Sequence, residues 1–264
     1  MEHTGTYREV PFPKSRDIIV DTGEAGRRVH HVKALFELDV TEGRRRIRDD
    51  AEGTGKKLSF TGWIMRCLGE AVSAHPSVHA RRRGRRKMVI FDDVDIAVSV
   101  ERTLEGSSFP ILRVIRKANE KSVEEITEEI RAAQVQTAED YLDSSEVRGA
   151  RRLVALPRPL RRLLFWRKLR RDPFFLKRHG GTVSLTSVGM FVRRGGWPIP
   201  LSAYGLTVAL GGIAEKPGVV QDQIVVREYL SITVAIDHDV VDGAPAARFL
   251  ARLAELVESG FGLP

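Results

Sequence analysis

Leu230 to Glu258 reads LSITVAIDHDVVDGAPAARFLARLAELVE, and its hydrophobic period changes in the middle. From Leu230 to Asp237 apolar and small polar residues alternate, the period of two expected of a strand. From Ala244 onward Ala246, Phe249, Leu250, Leu253, Leu256 and Val257 recur at helical spacing, giving an amphipathic helix to about Glu258. His238 falls where the strand gives out, Asp242 follows four residues later, and Gly243 opens the next element. A histidine at a strand end with a carboxylate close by can act as a base with a positioning partner. The same spacing fits a loop histidine and an Asp N-cap, which is worth about 1 kcal/mol. On spacing alone the two readings stand level. A metal site is the weaker reading, because no second histidine or cysteine lies nearby at ligand spacing.

Working back from this stretch, strands are expected at Thr182–Thr186, Leu206–Gly211 and Gln223–Val226. Upstream, Val29–Val40 alternates with aromatic and β-branched content and predicts a strand, after which Thr41 caps a polar helix to about Glu52. Apolar residues at 60, 63, 64, 67, 68, 71 and 72 mark a helix over Ser59–Ala74 that Pro76 ends. Short strands are expected at Met88–Phe91, Asp95–Val100 and Phe109–Ile115. Ser122 with Glu125 forms a capping box at the start of another helix. Residues 1–28 carry no period and read as an N-terminal arm. Strands and helices alternate without a strict βαβ rhythm, so the expected fold is α/β, a two-layer sandwich with a mixed sheet covered by helices.

The chain has 264 residues and a formal charge of +8. Arg148 to Arg178 holds 12 bases and one acid, and Arg81 to Lys87 holds six bases; without these two runs the remainder is −9. The basicity is therefore local, and with no recognised reading motif beside it a nucleic-acid partner is not expected. No run reaches the roughly 18 apolar residues of a membrane span, and Met1–Pro13 lacks the apolar centre of a signal peptide, so a cytoplasmic location is expected. The one cysteine, Cys67, excludes an internal disulfide and sits in the helical stripe, which points to buried packing ahead of a reactive thiol. Gly180-Gly181 and Gly211-Gly212 lack the endings of phosphate loops and read as turn glycines. Trp63, Trp166 and Trp197 are too scattered to form a stacking platform.

AIDHDVVDGAPAARFLARLAELVE resembles the His-x-x-x-Asp-Gly signature and following helix of the acyltransferase catalytic domain of 2-oxoacid dehydrogenase complexes, whose fold is that of chloramphenicol acetyltransferase. GTVSLTSVGMF is similar to that family's Gly-Thr strand, and VALGGIAEKPGVVQDQIVVREYLSITVAIDHD follows its path into the histidine. FELDVTEGRRRI, AVSAHPSVHA and DIAVSVERTLEGSSFPILRVIRKANEKSVEEI fall in the family's order upstream. The resemblance covers about residues 29–260 and implies one catalytic domain over 29–264, with a basic insert at about 148–178. It also implies a general base at His238 that takes the thiol proton of coenzyme A or of a lipoyl group. Thr186, 52 residues earlier, becomes the hydroxyl donor to the oxyanion, and Asp242 a carboxylate holding the local architecture through Arg16, Arg27 or Arg28. Coenzyme A (as acyl-CoA) is the implied substrate. The acceptor is a small molecule or a lipoyl group carried by another polypeptide, and the assembly is a homotrimer or a multiple of trimers in which His238 and Thr186 meet across an interface.

The physical logic agrees with these roles. A thiol of pKa near 8.5 is mostly protonated at neutral pH, and an imidazole near 6.5 can take its proton during attack. One donor at the oxyanion is worth roughly 3 kcal/mol or more of barrier. Three features depart from the family: Asp239 stands where arginine is common and sets negative charge beside the base, Ser187 replaces the usual asparagine, and the resemblance begins so near residue 1 that a form without lipoyl or subunit-binding domains is expected. A non-catalytic trimeric scaffold of the same fold is the alternative. In the basic insert, Leu160, Leu163, Leu164, Phe165, Trp166 and Leu169 interleave with Arg161, Arg162, Arg167, Lys168, Arg170 and Arg171. A helix over 160–171 is expected that packs on its own domain, recruits an anionic ligand such as coenzyme A, or touches a membrane surface.

Overall fold

In the computed structural model, residues 5–104, 107–135, 155–161, 163, 167–189 and 195–264 are described. In chain order, and counting helices of eight residues or more, they form α1 (Asp17–Gly26), β1 (His31–Asp39), α2 (Thr41–Thr54), α3 (Phe60–Ala74), β2 (Arg81–Arg83), β3 (Lys87–Val89), β4 (Ile96–Leu104), β5 (Ser107–Ile115), α4 (Val123–Val135), α5 (Pro173–Gly180), β6 (Val183–Ser187), β7 (Leu206–Val220), β8 (Gln223–Asp237) and α6 (Gly243–Glu258). Six strands make one sheet in the order β1-β8-β7-β6-β4-β5, and β2 with β3 makes a separate hairpin. β6 is parallel to both neighbours, while the other pairs in the sheet are antiparallel, so the sheet is mixed as expected.

The alternation within each strand decides which side the helices cover. Leu230, Ile232, Val234 and Ile236 of β8, Leu206, Val208 and Leu210 of β7, Val183 and Leu185 of β6, and Ile96 and Val98 of β4 enter one core with α3, α4 and α6. Their neighbours on the opposite face are small or hydroxylated: Ser231, Thr233 and Ala235; Thr207 and Ala209; Ser184 and Thr186. The segment 195–205 lies over part of that face, with Gly196 N–H donating to Ser231 Oγ at 3.1 Å and Thr207 Oγ1 to Ser202 Oγ at 2.7 Å.

Several local expectations hold. Ser59 accepts the Gly62 N–H at 3.1 Å as the cap of α3. The capping box at α4 is formed in both directions, with Ser122 N–H to Glu125 Oε2 at 2.7 Å and Glu125 N–H to Ser122 Oγ at 3.2 Å. Cys67 is fully buried in the core, and burial pushes its thiol up to about 12. A thiolate-selective reagent is therefore expected to leave Cys67 unlabelled in the native chain and to label it fully in denaturant. Rapid native labelling would contradict this packing.

Other expectations are corrected. Within the arm at 1–28, Asp17–Gly26 is helical. Asp39, not Thr41, serves the start of α2, its Oδ1 accepting from the Thr41 N–H at 3.0 Å and the hydroxyl at 2.6 Å. The separate strands expected at Gln223–Val226 and Leu230–Asp237 are one strand, β8, because the charges between them are paired: Arg227 meets Asp39 at 2.6 Å and Glu228 meets Arg44 at 2.5 Å. β7 and β8 join through Gln221 and Asp222, both at positive φ (50° and 62°), the backbone of a type I′ turn. Gly211-Gly212 is a bulge within β7, between Leu210 and Ile213, where a Cβ at 211 would lie 1.9 Å from the Gly196 carbonyl. Gly181 is a turn glycine as expected, at φ +78° after α5.

Of the helix expected over 160–171, one-turn pieces stand at Arg158–Arg161 and Arg167–Arg171, while residues 162 and 164–166 lie outside the described ones. Arg161, expected as a surface base, is 1% exposed, its Nε bonded to Asp21 of α1 at 2.6 Å and its NH2 3.4 Å from Asp17. This first turn packs on its own domain.

Candidate active site

The β8 end is held from three sides. Asp237 N–H donates to Gly205 O at 2.8 Å and His238 N–H to His30 O at 2.9 Å, while Val240 and Val241 N–H both return to Asp237 O at 3.1 Å. The chain thereby leaves the sheet in a tight turn that presents the His238 ring to solvent, and Asp242 then takes the N-cap position of α6. Its carboxylate makes no cap bond, so the helix-cap reading holds for the backbone position alone. No ion pair joins Asp242 to Arg16, Arg27 or Arg28 within the chain, and the expected arginine partner is not found among the described residues. Gly243 has open space where a Cβ would stand and no positive φ, so nothing among the described residues demands glycine there.

Thr186 and Ser187 close β6, both half-buried, with Thr186 opposite Ala209 and Ala209 opposite Thr233. Thr186 is thus two strands from β8, and His238 lies five residues beyond its row. With strands about 4.8 Å apart and a rise of about 3.3 Å per residue, the Cα atoms of Thr186 and His238 are about 19 Å apart. One protomer does not bring the two side chains together across a reacting carbon. Among the described residues, none of the polar groups of Thr186, His238 and Asp242 makes a side-chain bond within the chain, which leaves all three available to a ligand or another chain.

Asp239 differs from expectation. Its carboxylate does not stand against the His238 ring; Oδ1 accepts from His30 Nδ1 at 3.0 Å, and Oδ2 lies 3.4 Å from Arg82 NH1. The hydrogen bond and charge of Asp239 raise His30 above the ordinary histidine value. The neighbouring His31 is turned the other way, with Nε2 on Tyr204 O at 2.8 Å, and burial lowers it. Sequence reasoning missed His30 and Arg82, which lie 209 and 157 residues from Asp239. The available clue was an acid where a base is common, which demands a counter-charge from elsewhere.

The two basic runs meet in space. The Arg83 guanidinium lies 5.3 Å from the Phe174 ring centroid, and Phe91 packs edge-on against the same ring at 5.8 Å, so the β2–β3 hairpin and α5 share one basic surface beside the β8 end. Among the described residues no group of three His, Cys, Asp or Glu could hold a metal ion, and no helix is long and apolar enough to cross a membrane.

The sequence profile of the 2-oxoacid dehydrogenases acyltransferase (catalytic domain) matches residues 4–155 and 176–261, and the unmatched interval falls inside the basic stretch. The lipoamide acyltransferase component of the branched-chain alpha-keto acid dehydrogenase complex of Bacillus subtilis is 22% identical over 258 residues, 96% of this chain and 52% of that protein. The chain spans about half the length of the curated relatives it matches. Among solved structures, Azotobacter vinelandii dihydrolipoamide acetyltransferase superposes with a TM-score of 0.69 at 21% identity, covering 97% of this chain and 93% of that one. That enzyme was investigated for the role of a serine, a histidine and an asparagine in its catalytic mechanism; the histidine follows the serine by 52 residues and precedes the asparagine by four. Chloramphenicol acetyltransferase superposes at 0.50 and 13% identity over 94% of this chain and 96% of that one, which carries the fold alone.

Proposed function

The chain belongs to the 2-oxoacid dehydrogenase acyltransferase (catalytic domain) family, and on that premise we propose that it moves an acyl group between coenzyme A and a dihydrolipoyl-type thiol in the cytoplasm, with His238 as base and Thr186 as oxyanion donor. The observation that carries this reading is spacing: Thr186 precedes His238 by 52 residues and Asp242 follows it by four, the intervals of the serine, histidine and asparagine in the Azotobacter enzyme. Threonine keeps the serine hydroxyl, and a carboxylate replaces the amide.

With acyl-CoA as the donor, the His238 imidazole takes the S–H proton of the acceptor thiol, and the sulfur attacks the acyl-CoA carbonyl. The carbonyl π electrons move to oxygen, where the Thr186 hydroxyl donates a hydrogen bond to the tetrahedral oxyanion. Collapse breaks the carbon–sulfur bond to coenzyme A, and the departing thiolate takes from the imidazolium the proton that the acceptor gave up. The separation of about 19 Å within one protomer supports a homotrimer in which His238 of one subunit faces Thr186 of the next. The lipoyl group would arrive on another polypeptide segment.

The basic surface supports recruitment of an anionic ligand, with the phosphates of coenzyme A as the fitting chemistry. The membrane contact expected at 160–171 loses Arg161 to its buried pair with Asp21 and rests on the exposed Leu160 and Leu163.

The test is turnover of a panel of acyl-CoAs with dihydrolipoamide and with small alcohols, read by trapping the released thiol. Dihydrolipoamide is expected to support transfer, and His238→Ala to reduce it by about 10²-fold or more. A panel without His238-dependent transfer would sink the enzyme reading and leave the scaffold.

A further inference from the structure

The His238 side chain has no partner within the described chain, so its placement depends on the loop that carries it. That loop is fastened to one residue twice. His30 O accepts the His238 N–H at 2.9 Å, and His30 Nδ1–H donates to the Asp239 carboxylate at 3.0 Å. Arg82 approaches the second Asp239 oxygen at 3.4 Å, and the Asp239 N–H turns back to Asp237 Oδ1 at 3.1 Å. The peptide of the expected base is therefore gripped by the residue just ahead of β1, by the β2–β3 hairpin and by its own turn. From this geometry we infer that His30 and Asp239 are positioning residues for His238, holding the loop so that the imidazole meets the thiol at the reactive angle. The inference rests on the reading of His238 as the base.

Small displacements matter at this point, since a misplacement of about 1 Å can cost up to about 100-fold in rate. The charged groups facing the clamp are Asp239 and Asp237 from the end of β8 and Arg82 from β2, while His31 points to Tyr204 O. Asp239 raises His30 above its ordinary value, and His30 and then Arg82 hold the Asp239 carboxyl below its own. For a histidine raised by its partner, the pairing is complete below the unfolded value, about 6.5, and is lost as pH rises through the folded one. His238 as a base requires the opposite, a neutral ring. Turnover should then fall as pH rises through the raised value at which His30 deprotonates.

The experiment is the pH dependence of kcat and KM for the full chain, with acetyl-CoA and dihydrolipoamide. His30→Gln and Asp239→Asn are each expected to lower kcat about tenfold, to leave the acetyl-CoA KM within about twofold, and to remove the alkaline fall. The double variant should be no slower than either single one, because both break one contact, and Asp239→Glu should recover part of the rate. A second readout needs no turnover: the ring proton of His30, followed by NMR with ¹³C-labelled histidine, should titrate above the ordinary value and drop in Asp239→Asn. His238-dependent turnover that keeps its kcat and pH profile in both variants overturns the inference alone, as does a His30 titration unmoved by Asp239→Asn. Turnover indifferent to His238→Ala overturns the functional reading beneath it.

Discussion

Thr186→Val and His238→Ala, each prepared alone, should be nearly inactive, and co-expressed in equal amounts they should regain about a quarter of the wild-type rate. Valine keeps the shape of Thr186 and removes the hydroxyl, at a cost of about 10²–10³ in rate if it is the oxyanion donor. Alanine at 238 removes the base, at a cost of about 10²–10⁴. The recovery follows from the strand register. Thr186 is in row with Thr233 through Ala209, and His238 is five residues beyond that row, so a site built from both must draw them from different protomers. In a ring of three, each site needs an intact His238 from one subunit and an intact Thr186 from the next. Random mixing of the two variants supplies both at about one site in four. If the pair worked within one chain, every protomer in the mixture would lack one partner and no activity could return. Mixed oligomers as inactive as their parents would exclude the cross-subunit site.

The elements around the candidate site were more legible in the sequence than the contacts between them. The alternation in Leu230–Asp237 and the helical stripe after Ala244 are local signals, and both elements stand where those periods put them. Ser59 and the Ser122–Glu125 box were legible because a cap is a contact over three residues. Asp239 was legible as a charge but not as a contact, because its partners come from the residue ahead of β1 and from the β2–β3 hairpin. The continuous β8 was hidden for a similar reason: Arg227 and Glu228 read as a break until Asp39, Arg44 and Arg48 are seen beside them. Arg161 resembled its neighbours in a basic run, and only the approach of α1 turns it into a buried ion pair with Asp21. In each case the missing information is a partner far away in sequence. In the proposed trimer the same holds for Thr186 and His238, whose residue types and interval are visible while their meeting would depend on a second chain.

Trp63→Ala is expected to be the most destabilising single substitution proposed for the helical layer, by about 3–5 kcal/mol. Trp63 is fully buried, and α3 places it where three parts of the chain converge. Its indole N–H donates to Phe261 O at 3.0 Å, tying α3 to the C-terminal turn, and Phe60 packs edge-on at 5.6 Å. Gly43 of α2 lies against the ring so closely that a Cβ there would fall 2.0 Å from it, so the α2 backbone itself forms one wall of the indole's pocket. Removing the ring opens a cavity with one wall of backbone, which cannot collapse as flexible side chains could, and leaves the Phe261 carbonyl with only the Cys67 thiol at 3.8 Å. For a chain of this size the loss corresponds to a fall in Tm of roughly 10 °C. Trp63→Phe separates the two contributions: it keeps most of the apolar volume and loses the hydrogen bond, so its expected cost is about 1–3 kcal/mol. Thermal unfolding of both variants decides the matter. A Trp63→Ala chain melting within a degree or two of the parent would show that α2 and α3 do not depend on this wedge, and an equal cost for Phe and Ala would assign the stability to the indole N–H alone.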